Sequence, residues 1–388
     1  MTADDRDGAL RILEDLVAFP TVTSASNLDL IAYAGERLEA VGAAVTTTYD
    51  ADRSRANVLA TIGPQVDGGV VLSGHTDVVP ADGDGWSTDP FVVTRSEDRL
   101  HGRGTADMKG FIACVLALAP TFAAAAAPVP VHVALTFDEE VGFRGAPLLL
   151  DELTRTGPSP RAAIVGEPTC LRIIAAHKGC YEYTTTIVGR QGHGSAPERA
   201  VNAVEHGARY VTRLLELRSE LAASAPADSP FDPPGTTLSV GTIAGGTARN
   251  IVAGACTIEW ELRPVSSRDA AHVRDARDAF ERALTDEMRR TDPGASVSTT
   301  AVCEVDGLEP APDSPALRLG RLLLDDPDED VVSFGTEAGL FQQAGIPAIV
   351  CGPGSIDVAH QPNEFITLDQ LDACLDMLRR LPAQLREG

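Results

Sequence analysis

Residues 68–80 read GGVVLSGHTDVVP, a short β-branched run that starts at a glycine pair and ends on His75 and Asp77. A continuous apolar run of this length between turn residues reads as a strand buried on both faces, the kind found in parallel sheets. The stretches VPVHVALTF (129–137) and RAAIVGEPT (161–169) repeat that pattern, again closing on polar residues. MKGFIACVLALAPTF (108–122) between them reads as a helix, and DGALRILEDLVAF (7–19) has apolar residues at helical spacing. Alternation of this kind predicts an α/β fold: a mostly parallel sheet with helices on both faces.

The pattern changes at HKGCYEYTTTIVGRQGHG (177–194), where Tyr181, Tyr183, Thr185 and Ile187 alternate with other residues as in a two-faced antiparallel strand. A helix over about 199–221, the Pro-rich loop APADSPFDPPGTT (225–237), two strands (237–245 and 251–264) and an amphipathic helix over 267–290 follow. This β-α-β-β-α block, 177–292, is expected to be an inserted ferredoxin-like unit. Strand patterns at VSTTAV (297–302) and IPAIVCG (346–352), and a helix at LDQLDACLDMLRRLPAQL (368–385), suggest that residues 293–388 rejoin 1–176 in one discontinuous domain.

A chain of 388 residues is long enough for two such domains. Its net charge of -24 and pI near 4.6 argue against duplex nucleic acid or an anionic membrane as partner, since both require a positive face. Seven cysteines lie far apart without a CxxC pair, which fits thiols in a reducing compartment. The acidic start MTADDRDGAL lacks an apolar leader, and the expected location is the cytoplasm.

In open α/β sheets chemistry collects at the carboxyl ends of strands. The polar turns there hold His75 and Asp77, Asp107 in GRGTADMKG, Glu139 and Glu140 in FDEEVG, Glu167 in GEPT, and His360 in GPGSIDVAHQPNEF. Singly, each is ordinary: an aspartate before a helix caps it, and turn acids are usually solvated. Converging on one sheet edge, the carboxylates would repel one another unless a cation were present. Histidines with carboxylates are ligands for divalent zinc, with cobalt or manganese as substitutes. One His, one bridging Asp and one terminal carboxylate per ion would use Asp107 twice and leave Glu139 free as a general base. Asp77 is placed to accept the other ring N–H of His75.

These motifs, with GRQGHGSAPE (189–198), resemble in order and spacing the M20 family of co-catalytic metallohydrolases, over essentially the whole chain. The resemblance implies one metal ion held by His75, Asp107 and Glu167 and a second held by Asp107, Glu140 and His360, Zn²⁺ or Co²⁺ in each, with Glu139 as base. It further implies a cis peptide bond at Asp107–Met108 and a lid or dimerisation role for the inserted block, hence a homodimer. His193 corresponds to an oxyanion donor, and Asn250 and Arg263 to residues that hold a substrate carboxylate.

Within the family, GTEAG (335–339) and GPGSIDVAHQPNEF are most similar to members that deacetylate N2-acetyl-L-ornithine in arginine biosynthesis, with Glu337 placed to meet the free ammonium of that small N-acyl amino acid. Desuccinylating relatives carry Ser-Asp where this chain has Glu337 and Ala338. Gly339 replaces a proline common among the deacetylating members. A desuccinylase, an aminoacylase or a carboxypeptidase are the alternatives, since they would share the metal and base residues. A catalytically silent binding homologue would lack a ligand or the base, and none is missing.

Overall fold

The computed structural model describes residues 3–387 other than Ser24, Asp82, Asp84, Asp326 and Pro327. The chain opens with helices α1 (Ala3–Ala18) and α2 (Leu28–Ala40), then strands β1 (Ala44–Tyr49), β2 (Ala56–Ile62), β3 (Val70–His75), β4 (Thr94–Ser96) and β5 (Arg99–His101). A tight turn over Thr105–Lys109 leads into α3 (Gly110–Ala124), followed by β6 (Val131–Thr136), α4 (Gly145–Thr156), β7 (Ala162–Pro168) and β8 (Ile173–His177). Next come β9 (Cys180–Val188), β10 (Gly192–His193), α5 (Ala203–Ala223), β11 (Thr237–Gly245), β12 (Ile251–Val252), β13 (Ala255–Arg263), α6 (Ser267–Arg289) and β14 (Ser296–Val305). The chain closes through α7 (Pro315–Leu324), β15 (Glu329–Val332), α8 (Ala338–Gln343), β16 (Ala348–Gly352), β17 (Phe365–Thr367) and α9 (Leu368–Glu387).

These elements form two compact units. The first comprises 1–176, 310–330 and 336–388, and the second 177–309 with 331–335. Among the described residues, the sheet of the first unit runs β1-β2-β6-β3-β7-β16-β8-β15. Its centre, β6-β3-β7-β16, is parallel, while β1, β2 and β8 join antiparallel. The central strands are buried along their length, as their unbroken apolar runs require. Leu13, Leu16, Leu30, Leu38, Leu72, Phe111, Leu116, Leu375 and Leu378 belong to one core, and burying each such side chain contributes about 1.5–3 kcal/mol. The stretch Thr105–Ala124 is long and apolar enough to cross a membrane by composition. It is instead a core helix, packed against α1 and α9.

The second unit carries a four-stranded antiparallel sheet in the order β11-β13-β9-β14, which with α5 and α6 gives the β-α-β-β-α-β ferredoxin-like arrangement. Tyr181, Tyr183, Trp260 and Leu262 point to the helix-covered face and share a core with Leu214, Leu217 and Leu284. Trp260 stacks on Tyr183 at 4.3 Å between centroids, and its indole N–H donates to Thr185 Oγ1 at 3.0 Å. Asn202 caps α5 and Ser266 caps α6 through their side-chain oxygens.

The expected return to the first domain at residue 293 is corrected by β14. This strand pairs antiparallel with β9 from Ser296↔Val188 to Val305↔Cys180, so the chain leaves the second unit after Glu309. The physical reason is the second edge of β9: with β13 on one side only, its outward N–H and C=O groups need a partner, and β14 supplies it. An alternating pattern marks a strand without saying which sheet it joins.

Candidate metal centre

Because β6, β3, β7 and β16 are parallel and adjacent, their carboxyl ends deliver side chains to one edge. His75 is the last residue of β3, in register with Thr136 of β6, and Glu167 lies near the end of β7. Glu139 and Glu140 occupy the turn after β6, and His360 the loop between β16 and β17. Asp107 sits on the turn before α3, and the Asp107–Met108 peptide is cis, as the resemblance implies. A glycine at 166 lets α3 lie against β7, since a Cβ there would fall inside the Phe111 ring.

Two triplets of ligand atoms converge: His75, Asp107 and Glu167, and Asp107, Glu140 and His360. Asp107 Oδ1 lies 3.0 Å from His75 Nε2, and its Oδ2 lies 3.2 Å from His360 Nε2. Glu167 Oε1 is 3.9 Å from His75 Nε2, and Glu140 Oε1 is 3.1 Å from His360 Nε2. Asp107 thus faces one imidazole with each oxygen. His75 Nδ1 donates to the Asp77 main-chain carbonyl at 2.9 Å, which assigns the ring proton to Nδ1 and turns the Nε2 lone pair toward the carboxylates. A lone pair facing carboxylate oxygens at these separations is a donor set for a cation, and all its atoms are of the N and O types that zinc accepts.

The charge balance points the same way. Asp107, Glu139, Glu167 and Glu337 are buried and stand with Glu140 against two imidazoles. Burial, then the negative charge of Asp107, raises the Glu140 and Glu167 carboxyls above their usual range. Burial raises Glu139 strongly, a shift that His75 opposes and that Glu167, Glu140 and Glu337 reinforce. Hydrogen bonds to Asp107 and Glu140 push His360 up to about 10. Burial pulls His75 down, but Asp107 and Glu167 outweigh it and hold it well above the ordinary histidine value. Such mutual repulsion is what divalent cations relieve.

The expected contact between the Asp77 carboxylate and His75 is corrected. Asp77 Oδ1 is 3.8 Å from His75 Nδ1, because the backbone carbonyl of Asp77 takes that proton. The carboxylate instead accepts the main-chain N–H groups of Glu139 at 3.1 Å and Glu140 at 3.2 Å. One residue therefore orients both a ligand and the turn that carries the free acid.

Glu364 was not singled out by the sequence, although it lies inside the motif that contains His360. It is buried; Oε1 accepts the N–H groups of Ala106 (2.9 Å) and Asp107 (3.1 Å). Oε2 accepts Gly104 N–H (3.0 Å) and the Arg103 guanidinium (2.7 Å). An acid shortly after His360 in the same motif, just before the apolar pair Phe365 and Ile366, was the available signal. Asp138, in the same FDEEVG turn as Glu139 and Glu140, is buried, has φ 53° and pairs with Arg55 Nε at 3.0 Å.

Glu337 lies in the first unit, where Ser73 Oγ donates to its Oε2 at 3.5 Å and burial pushes its carboxyl up to about 7. His193, Asn250 and Arg263 belong to the second unit. His193 pairs with Ile251 in the β10–β12 ribbon, and the Asn250 carbonyl accepts Gly194 N–H at 2.8 Å, so these two residues share one ribbon. His193 is exposed, and its Nδ1 accepts Ser195 N–H at 3.2 Å with Ser195 Oγ 2.7 Å away. That leaves the ring proton on Nε2. Arg263 donates to Glu261 through Nε (3.1 Å) and Nη2 (2.8 Å).

A parallel-sheet domain with two aspartate-bridged histidine–carboxylate triplets at its strand ends, carrying a ferredoxin-like insertion, defines an α/β protein shaped as a hydrolase. The chain belongs to peptidase family M20/M25/M40, whose model matches residues 71–320 and 316–384. It is 35% identical over 382 residues to the acetylornithine deacetylase of Myxococcus xanthus, covering 97% of each chain. To the acetylornithine deacetylase of Proteus mirabilis it is 35% identical over 389 residues, covering 98% of this chain and 96% of the other. The crystal structure of an M20 family metallo-carboxypeptidase from Sulfolobus solfataricus superposes with a TM-score of 0.77 at 16% identity, covering 98% of this chain and 99% of that one.

Proposed function

We propose that this protein is a metal-dependent amide hydrolase that removes the acetyl group of N2-acetyl-L-ornithine, a step of arginine biosynthesis in the cytoplasm. The observation that carries the hydrolase reading is Glu139. It is a buried acid set among both triplets, a member of neither, and held by backbone N–H donation to Asp77. The deacetylase reading is supported by the two relatives above.

In this reading His75, Asp107 and Glu167 hold one divalent ion and Asp107, Glu140 and His360 the other, Zn²⁺ first and Co²⁺ as substitute. The ions supply acidification of water and polarisation of the acyl carbonyl. Glu139 takes the proton of the attacking water and delivers it to the leaving amine nitrogen. Its carboxyl is suited to both halves of that task because burial raises its proton affinity well above that of an ordinary carboxylate. His193 carries its proton on Nε2, the form needed to donate to an oxyanion. Arg263 and Asn250 receive the substrate carboxylate, for which a guanidinium gives two parallel hydrogen bonds, and Glu337 meets the distal ammonium. A homodimer joined through the inserted unit completes the proposal.

The test is amine release from N2-acetyl-L-ornithine, N-succinyl-diaminopimelate, acetylmethionine and a dipeptide, with apo protein and after Zn²⁺ or Co²⁺ addition. Metal-dependent turnover of acetylornithine above the others is expected. Preference for another substrate would keep the metal chemistry and overturn the roles of Glu337 and Arg263. No metal-dependent turnover of any would overturn the hydrolase reading.

A further inference from the structure

The second unit contains a cluster of different chemistry. Cys180, Glu182 and Cys303 each offer a ligand atom, and the three atoms lie mutually within 4.8 Å. The register explains why. Glu182 of β9 is paired with Cys303 of β14, and Cys180 with Val305, so Cys180, Glu182 and Cys303 project from the same face of the sheet, opposite the face holding Tyr181 and Tyr183. Both cysteines are buried, while the Glu182 side chain is 46% exposed, leaving a route from solvent to the thiols.

Their separation distinguishes two uses of a close cysteine pair. The two Sγ atoms are 3.8 Å apart. Two sulfurs about 2.3 Å from one ion at a tetrahedral angle stand about 3.8 Å apart, so the thiols already have the bite of a metal dithiolate. A disulfide fits less well: the cysteines are diagonal neighbours across an antiparallel pair, where Cα atoms stand about 7–8 Å apart, beyond the span of about 4.4–6.8 Å that a disulfide usually bridges. Two thiolates and a carboxylate around a divalent ion leave one negative charge. The Arg263 guanidinium, shared with Glu261, lies 3.9 Å from Glu182 Oε1 and stands against it.

We propose that Cys180, Glu182 and Cys303 form a thiolate–carboxylate site for a borderline or soft divalent ion, of the Zn²⁺ and Cd²⁺ class, separate from the histidine–carboxylate centre. Thiolates select such ions, and three protein ligands leave the fourth tetrahedral position to water. None of these three ligands belongs to the histidine–carboxylate centre, so the site does not require the hydrolase reading.

The test is cobalt(II) titration of the full chain under anaerobic, reducing conditions, read in the near ultraviolet. Thiolate-to-cobalt charge transfer cannot arise from the His75–His360 centre, which has no sulfur ligand. A charge-transfer band whose intensity corresponds to one thiolate-bound ion per chain, beyond any cobalt taken up by the histidine–carboxylate centre, is expected. Cys180→Ser and Cys303→Ser should each abolish it, Glu182→Gln should weaken cobalt binding tenfold or more, and Cys170→Ser, at the exposed cysteine, should leave the band intact. No band at saturating cobalt, or a band surviving both Cys180→Ser and Cys303→Ser, would overturn the site. Should the serine variants misfold, the wild-type chain still decides it: cadmium should protect Cys180 and Cys303 from alkylation, and equal labelling with and without cadmium would refute the proposal.

Discussion

At the scale of single residues, Glu139 is the sharpest commitment. Glu139→Gln keeps the size of the side chain and its backbone donation to Asp77 but removes the base. Turnover should fall about 10²–10⁴-fold, the usual worth of a positioned acid–base group, while the metal content per chain stays that of the wild type, as measured by metal analysis of the two purified proteins. Near-normal turnover would remove Glu139 from the mechanism. His132 yields a prediction of another kind. It lies within β6, fully buried, with Nδ1 3.0 Å from Thr61 Oγ1, and burial pulls its pKa down to about 4 from the ordinary histidine value of about 6.5. Between those values the unfolded chain binds a proton that the folded chain refuses, so stability falls as pH drops through that window and is unaffected by this group above it. Relative to His132→Asn, the wild type should lose about 1.4 kcal/mol per pH unit there, read from urea unfolding of the metal-free proteins. Parallel pH profiles of the two would show that the imidazole is protonated in the fold.

At the scale of elements, the turn from Gly102 to Lys109 places the bridging aspartate, and a single distant carboxylate orders it. Glu364 accepts three backbone N–H groups and the Arg103 guanidinium, charge-assisted bonds of the stronger kind. Glu364→Gln turns an NH₂ group toward one of those donors and leaves Arg103 buried without its counter-charge, so metal affinity should weaken about 10–100-fold and the melting temperature fall. Competition against a chelator measures the first effect, and unchanged affinity would reduce Glu364 to a purely structural anchor. Glu364 also shows what the sequence could not supply. His75, Glu139, Glu140 and Glu167 were legible because each closes an apolar run, and parallel strands put such ends on one edge. Which acid serves which partner depends on main-chain geometry: the Asp77 carbonyl, not its carboxylate, takes the His75 proton. The alternation in 297–302 likewise identified β14 as a strand, but pairing with β9 is a contact across more than a hundred residues that no local pattern encodes.

For the whole molecule, the inserted unit is the feature that makes a separable prediction. All five residues proposed to hold the ions of the histidine–carboxylate centre, and Glu139, belong to the first unit, whereas the second has its own apolar core under α5 and α6. Its chain ends meet: His177 N–H donates to the Leu308 carbonyl at 3.1 Å. Insertions with adjacent ends disturb a host fold least, because the host need only close a short gap. Residues 177–309 expressed alone should therefore fold. Trp260 is the sole tryptophan of that segment, and its stacking on Tyr183 and hydrogen bond to Thr185 supply both a fluorescence probe and a fixed asymmetric environment. Cooperative urea unfolding with a native-type near-ultraviolet dichroism signal from Trp260 is the expected outcome. Retained secondary structure without that signal would mean that this core packs only loosely by itself; the segment Val331–Gly335, which brings Gly335 against Cys180, would then be the first piece to restore.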